Sequence, residues 1–374
     1  MAGDSRVPIA LVGGGTIAPL HAKYLLLSQT CRLVALIDPF ERGQILASEL
    51  GIPHFQSVAA LLESPVDNPD GYIICVPSSL HVMVAIEVIN LASPKAILVE
   101  KPISTDSKSA TELLIVADIA SCKIHVGHHR RSHPYLAVAR EAIKSESLGQ
   151  IVSISCLWVA KKNSGYFNIA PWRSSRSAGG GPVWTNLIHD IDMVHYLVGS
   201  HIKQVWSIPC TRHRKNTGIP TDDLVEEGAV IMARFENGIV GTFHIHDNGV
   251  SPFNWESAAG DNPSHPKASP RVDCYRIFGT EGTLSGPDGT IWSYNPERAE
   301  ELGVEVGWNA PISGKFLEPS NGRRPFQNQT EHFIRVIRGS EDPICSGADG
   351  IAAAKVCEAV INALTLDNGM PISI

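Results

Sequence analysis

Residues Ala10–His21 read "ALVGGGTIAPLH". The stretch closes an apolar run and opens a helical one, and between the two Gly13, Gly15 and Ala18 keep the G-x-G-x-x-G/A spacing. In that pattern the first glycine permits a tight turn. The second lets backbone N–H groups approach a pyrophosphate, and the helix N-terminus adds partial positive charge. The bare pattern is common; directly after a strand and before a helix it specifies a dinucleotide fold. Asp38 ends the next apolar run, "RLVALID", 20 residues after Ala18, where an acid accepts hydrogen bonds from a ribose diol. The carboxylate would repel a 2′-phosphate. Pro39, Phe40 and Glu41 follow it, and Arg42 is the one nearby cation. NAD in preference to NADP is the expected cofactor.

The surrounding pattern agrees. "PIALVGG", "RLVALID", "GYIICVP", "KAILVE" and "KIHVGH" are short and almost wholly apolar, as parallel strands covered on both faces are. Helical stretches alternate with them at Pro19–Leu27, Glu41–Leu50, Ser79–Leu91 and Asp106–Ala120. The expected fold is α/β, an N-terminal Rossmann domain over residues 1–128. Beyond about residue 150, "IVSISCLWVA", "AVIMARFENGIVGTFHIHD" and "CYRIFGTEGTLSG" alternate with period two, and Asn237-Gly238 signals a hairpin. This predicts a C-terminal α/β domain over 129–340 with a large open, mainly antiparallel sheet. Helices are expected from near Asn186, over Gln329–Arg338 and over Gly350–Leu366. Residues 251–271, rich in Pro, Ser, Asn and Gly, read as a long loop.

Composition narrows the function. The chain of 374 residues is long for one core. Its formal charge is -7, so neither nucleic acid nor an anionic membrane is an expected partner. No apolar run approaches the roughly 20 residues that span a bilayer, and "MAGDSRVP" offers no secretory signal. The eight cysteines form no C-x-x-C pair and read as reduced thiols of a cytoplasmic protein. His244 and His246 share a strand face, but no third ligand stands at a telling spacing, so no metal is expected.

Ligands of an open parallel sheet bind beyond the carboxyl ends of its strands. Pro77, Ser78 and "EKP" at Glu100–Pro102 lie at such ends. Glu100 is suited to ribose hydroxyls, and Lys101 then faces the substrate beside the nicotinamide. An ordinary lysine has a pKa near about 10.4. Burial and the positive ring of the oxidised cofactor lower it, which suits it to exchange a proton with a hydroxyl being oxidised.

Together these stretches, with "VPSSLH", "VGHHRRSHP", "GGGPVWTNLIHDID" and "SGADGIAAAKVCEAV", resemble the glucose–fructose oxidoreductase/inositol dehydrogenase/MocA family over nearly the whole chain. The resemblance implies a last helix, about 340–374, that returns to the Rossmann domain, and homodimers or homotetramers formed through the open sheet. It implies His189 as catalytic base or proton partner of Lys101, the two groups flanking a secondary hydroxyl. Inositol dehydrogenases have an aspartate where this chain has Thr185, and Asp192 lies three residues beyond His189. The resemblance extends the cofactor contacts to Thr16, Ile17, His81 and His129, and the substrate contacts to Arg130, Lys161, Tyr166, Trp172, Arg173, Thr185 and Asn186. Trp255 is expected to line the cleft.

The leading function is hydride transfer between the nicotinamide and a secondary alcohol or ketone of a sugar, cyclitol or hydroxy-acid polyol. Lys161, Lys162, Arg173 and Arg176 in an acidic chain leave two readings: an anionic substrate held by Arg, or a neutral polyol with these residues serving the pyrophosphate or a subunit contact. Two other readings stand: a non-catalytic NAD-binding regulator, and glycosidic-bond cleavage through transient oxidation.

Overall fold

A computed structural model of the chain describes residues 5–215, 218–261, 265–366 and 370–374. The chain divides into two compact units, Met1–Ser132 with Arg323–Lys355, and His133–Gly322 with Val356–Ile374.

The first unit begins β1 (Val7–Val12), α1 (Ala18–Leu27), β2 (Cys31–Ile37), α2 (Glu41–Leu50), β3 (His54–Phe55) and α3 (Val58–Leu62). It continues β4 (Gly71–Ile74), α4 (His81–Ala92), β5 (Ala96–Val99), α5 (Ser107–Ile119) and β6 (Lys123–Val126). The strands form one parallel sheet in the order β3-β2-β1-β4-β5-β6, the doubly wound order with its switch point between β1 and β4. Every interior residue of β4 and β5 is buried, which is why those segments read as unbroken apolar runs.

The second unit runs through α6 (Pro134–Lys144), β7 (Ile151–Val159), α7 (Ser164–Ile169), α8 (Ile188–Val198), β8 (Ile202–Pro209), β9 (Gly228–Phe235) and β10 (Val240–His246). It goes on to α9 (Trp255–Ala259), β11 (Tyr275–Gly279), β12 (Thr283–Gly286), β13 (Thr290–Tyr294), α10 (Pro296–Glu301) and β14 (Ile312–Phe316). Then follow α11 (Pro325–Ile337), α12 (Gly347–Leu366) and β15 (Ile372–Ser373). The nine-stranded sheet, β14-β13-β12-β11-β7-β10-β9-β8-β15, is antiparallel at every pairing but β7 with β10. One face is buried through Ile154, Cys156, Trp158, Ile231, Phe243, Ile245 and Ile277; on the other Val230, Met232, Val240 and Trp292 lie exposed. This is the alternation that period two in the sequence requires.

Two boundaries differ from the sequence reading. α11 belongs to the first unit, not to residues 129–340 of the second. Its Phe333, Ile334, Val336 and Ile337 fill the same core as Ala22 and Leu25 of α1 and Leu11 of β1. Gly71 makes room for it, since a Cβ there would stand 2.4 Å from Ile337 Cδ1. Residues 356–374, expected with the Rossmann domain, group with the second unit. The loop expected over 251–271 holds α9, capped by Asn254 Oδ1, which accepts from Ser257 N–H at 2.9 Å. Residues 262–264 of that stretch lie outside the described residues. Trp255 is not a cleft residue. It is 1% exposed, stacks on Tyr275 and donates Nε1–H to Asp261.

His125 on β6 is fully buried beside His332 of α11, ring centroids 5.3 Å apart, and neither ring nitrogen has a hydrogen-bond partner among the described residues. Burial holds it neutral, with the neighbouring His332, Arg131, His128 and His21 adding to the effect, so its pKa lies well below the ordinary value. The unfolded chain then binds a proton in mild acid that the folded chain does not, and stability falls as pH drops below about 6.5. Urea midpoints at pH 7.5 and 5.5 are expected to show a loss of about 1.4 kcal/mol from this residue. His125→Leu should flatten the profile by that amount, and an unchanged slope would contradict it.

Candidate functional site

In the first unit the glycine loop is built by close approach. Gly13 has φ +95°, and a Cβ there would stand 2.9 Å from the backbone of Cys75 and Val76 at the end of β4. Its N–H donates to Ile37 O at 2.8 Å, joining the ends of β1 and β2. Gly14 N–H donates to Asp38 Oδ2 at 2.6 Å, and Phe40 N–H to Oδ1 at 2.8 Å. The loop feeds α1, which carries no acidic residue in its first turn. Thr16 and Pro77 are exposed and Gly15, Ile17 and Ser78 half-buried, so the two sides of the switch point are open to a ligand. A backbone cradle that any Cβ would fill, opening onto a helix N-terminus, fits a dinucleotide pyrophosphate.

The acidic partners are more enclosed than the sequence implies. Asp38 is 1% exposed, and Arg42 Nε lies 3.5 Å from Oδ2. Arg42 itself is half-exposed. Glu100, expected at ribose hydroxyls, is instead turned inward. Oε1 pairs with His21 Nε2 of α1 at 2.8 Å, and Oε2 accepts from Lys101 N–H at 3.1 Å. Burial alone would raise its pKa; the bond to His21, with the charges of His21, Lys101 and His129, holds the carboxyl below its usual range. The residue that answers "EKP" is therefore a histidine one helix away, which no local motif announces. Glu100 fixes the turn after β5, where the Lys101–Pro102 peptide is cis, and leaves Lys101 half-buried at the strand end.

His81, expected at the cofactor, spans two loops of the protein itself: Nδ1 lies 2.7 Å from Pro102 O and Nε2 3.0 Å from Val76 O. It holds the ends of β4 and β5 in register. His129 stacks on Phe326 of α11 at 4.5 Å. Arg130, expected at the substrate, is 1% exposed and closed to it; the cause is the turn over His129–Ser132, which carries both arginines inward. Arg131 ties that turn to α12 through Asp349 and Ile344 O.

The second unit gathers several of the expected substrate residues around Lys162, which the sequence marks only as one of four basic residues and not as a substrate contact. Lys162 Nζ donates to Asn186 Oδ1 at 2.7 Å and lies 3.3 Å from both Thr185 Oγ1 and Tyr166 Oη. Arg173 stacks on the Tyr166 ring and donates Nη1–H to Tyr166 O at 2.8 Å. Lys161, the expected contact, is exposed. Strand alternation explains the exchange: Lys162 continues the inward row of Trp158 past the end of β7, and its Nζ lies 5.2 Å from that ring. Trp172 is 42% exposed beside Arg173.

Thr185 and His189 are not successive turns of a regular helix. Val183–Leu187 is a π-turn that passes into α8, and Ile188 N–H reaches back to Val183 O. Such insertions re-aim side chains and gather at functional sites. Thr185 Oγ1 turns to Gly181 O and Asn186 Oδ1, both at 2.8 Å. His189 is 6% exposed and Asp192 1%. Beneath the turn, Glu226 Oε1 accepts from Val183 N–H at 3.1 Å, and burial pushes its carboxyl pKa up. Gly181, at φ +89°, leaves room for that carboxyl, which would stand 2.5 Å from a Cβ. This explains the glycine run that the sequence displays without a reason.

Comparison with known proteins places both units. Residues 7–128 match the family model described as an oxidoreductase-family NAD-binding Rossmann fold, and residues 140–372 match its C-terminal alpha/beta domain. The chain belongs to the Gfo/Idh/MocA oxidoreductase family. It is 30% identical to an inositol 2-dehydrogenase of Rhizobium meliloti over 96% of this chain and 97% of that one. The fold is shared with scyllo-inositol dehydrogenase from Lactobacillus casei, solved with NAD(H) and scyllo-inositol (TM-score 0.73, 19% identity, 98% and 99% covered). It is shared also with the WlbA dehydrogenase from Bordetella pertussis, solved with NADH and UDP-GlcNAcA (TM-score 0.72, 21% identity, 99% of each chain). The protein is an NAD-binding oxidoreductase of this family.

Gly13→Ala tests the glycine loop. A side chain meets both a left-handed backbone and the β4 terminus, so NAD affinity by titration calorimetry should fall by about tenfold or more. Unchanged affinity would contradict the assignment.

Proposed function

We propose that the protein is an NAD-dependent dehydrogenase acting on a secondary alcohol of a sugar, cyclitol or related polyol, or on the corresponding ketone. The observation that carries this reading is the 30% identity, spanning nearly all of both chains, to an inositol 2-dehydrogenase. The chain supplies both kinds of group the chemistry needs: a pyrophosphate cradle beside Lys101, and a hydrogen-bonding cluster of Lys162, Thr185, Asn186 and Tyr166 beside the helix of His189.

Bound NAD supplies the hydride acceptor. Lys101 and His189 handle the hydroxyl proton, the imidazole because a neutral ring nitrogen can accept it and the lysine because its ammonium can donate to the developing oxyanion. Thr185 cannot act as a carboxylate would in raising the basicity of His189. It holds the π-turn through Gly181 O and orders Asn186. Asp38 favours NAD over NADP, since a 2′-phosphate would face its carboxylate.

We further propose that two copies pair through the open sheet face. Val230, Met232, Val240, Ile208 and Trp292 are each between 46% and 67% exposed there, an apolar surface that a second copy would cover. Seven of the eight cysteines are buried, which suits thiols kept reduced in the cytoplasm. Among the described residues no helix is long and apolar enough to cross a membrane.

Lys101→Ala should leave NAD binding nearly intact and lower kcat by about 10² or more in a polyol panel followed by NADH absorbance. Wild-type kcat/KM should favour NAD over NADP by about tenfold or more. Full activity of Lys101→Ala, or a preference for NADP, would overturn the corresponding assignment.

A further inference from the structure

Lys162 and Arg173 face the same aromatic ring: Nζ lies 4.5 Å, and the guanidinium carbon 4.0 Å, from the Tyr166 centroid. Both cations are half-buried. Every hydrogen-bond acceptor that Lys162 meets is neutral, being the amide oxygen of Asn186 and the hydroxyls of Thr185 and Tyr166. Among the described residues Arg173 donates only to the main-chain carbonyl of Tyr166, and its Nε is buried with no hydrogen-bond partner. Among the described residues neither cation has a carboxylate within salt-bridge distance. The carboxylate whose charge Lys162 feels, Asp247, is itself paired with Arg214.

Two like charges held near one ring repel each other, and withdrawal from water weakens their hydration. Cation–π contact offsets part of that cost, not all of it. A protein of net charge -7 has carboxylates to spare, yet among the described residues none comes within salt-bridge distance of either cation, and Asp247, which bears on Lys162, is held by Arg214. The arrangement gains what it lacks when an anion arrives between the ammonium and the guanidinium.

We propose that Lys162 and Arg173 form a subsite for an oxyanion carried by the polyol, so that the substrate is an acidic sugar or cyclitol derivative rather than a neutral one. This rests on the reading of the cluster as part of the polyol site. The oxyanion is a carboxylate or a phosphate ester; both accept from an ammonium and a guanidinium edge. Trp172, 42% exposed beside Arg173, offers an apolar face to the C–H side of the ring. Lys162 is then the specificity-determining residue, and its partners Asn186 and Thr185 keep the ammonium aimed.

The test reads binding without turnover. The full-length protein saturated with NAD is titrated calorimetrically with glucose, glucuronate and glucose 6-phosphate at matched ionic strength. Charge-assisted hydrogen bonds predict that one acidic sugar binds about tenfold or more tighter than glucose. Which acid wins separates a carboxylate from a phosphate. The preference should shrink as salt is raised, and Lys162→Met should reduce it to less than about threefold while NAD affinity stays at the wild-type value. If Lys162→Met fails to fold, the salt series on the wild type and Arg173→Gln carry the same comparison. Equal binding of all three sugars, no binding of any, or a preference that survives both substitutions overturns the proposal. Selective binding without NADH formation from any polyol would instead contradict the dehydrogenase reading. NADH formation from neutral polyols alone would uphold that reading and sink this one.

Discussion

The ends of β1, β2 and β4 meet at a distance that excludes side chains. Gly13 lies against the Cys75–Val76 backbone, Gly14 donates to Asp38, and Gly43 would place a Cβ 2.2 Å from Asp38 Cβ. One constraint thus sets the turn, aims the N-terminus of α1 and opens the switch point between β1 and β4. The same helix carries His21 to Glu100, so the glycine loop also determines how the turn after β5 presents Lys101. The cradle and the turn that carries Lys101 are joined through one buried contact, His21 with Glu100.

The second unit solves a different problem. Its helix must begin at a point where a buried carboxyl, a glycine at positive φ and an inserted residue coincide. Glu226 caps the start of the π-turn, and the inserted residue turns Thr185 toward Lys162. A family member with a carboxylate in place of Thr185 would neutralise Lys162 directly. This chain leaves the ammonium with neutral hydrogen-bond acceptors and an Asp247 already paired with Arg214, so an anionic ligand would complete its charge balance.

Much of this was legible in the sequence, for definite reasons. Parallel strands buried on both faces leave unbroken apolar runs, and the glycine spacing records a backbone contact, so the first sheet and its loop could be read directly. Antiparallel strands open on one side leave period-two alternation, which disclosed β7, β9 and β10. The very short β3 and the edge strands β14 and β15 carry too little pattern to register. α6 went unread, although Pro134 marks its start and His133 caps it. The return of α11 to the first sheet is a long-range packing event, encoded only by Gly71 giving way to Ile337. Side-chain roles were the least legible. Glu100 and His81 stand where the motif places them, but both spend their polar atoms inside the protein. Lys162 could have been chosen over Lys161 by extending the alternation of β7, whereas His21 carries no local signal.

The chemistry at stake is the passage of a hydride between a carbinol carbon and NAD. The most direct measurement is mass spectrometry of the nucleotide after incubation with NAD and polyols deuterated at their carbinol carbons. Deuterium in the recovered NADH is the predicted result. Label that stays wholly on the polyol, or returns to a cleaved product with the nucleotide left oxidised, would contradict it.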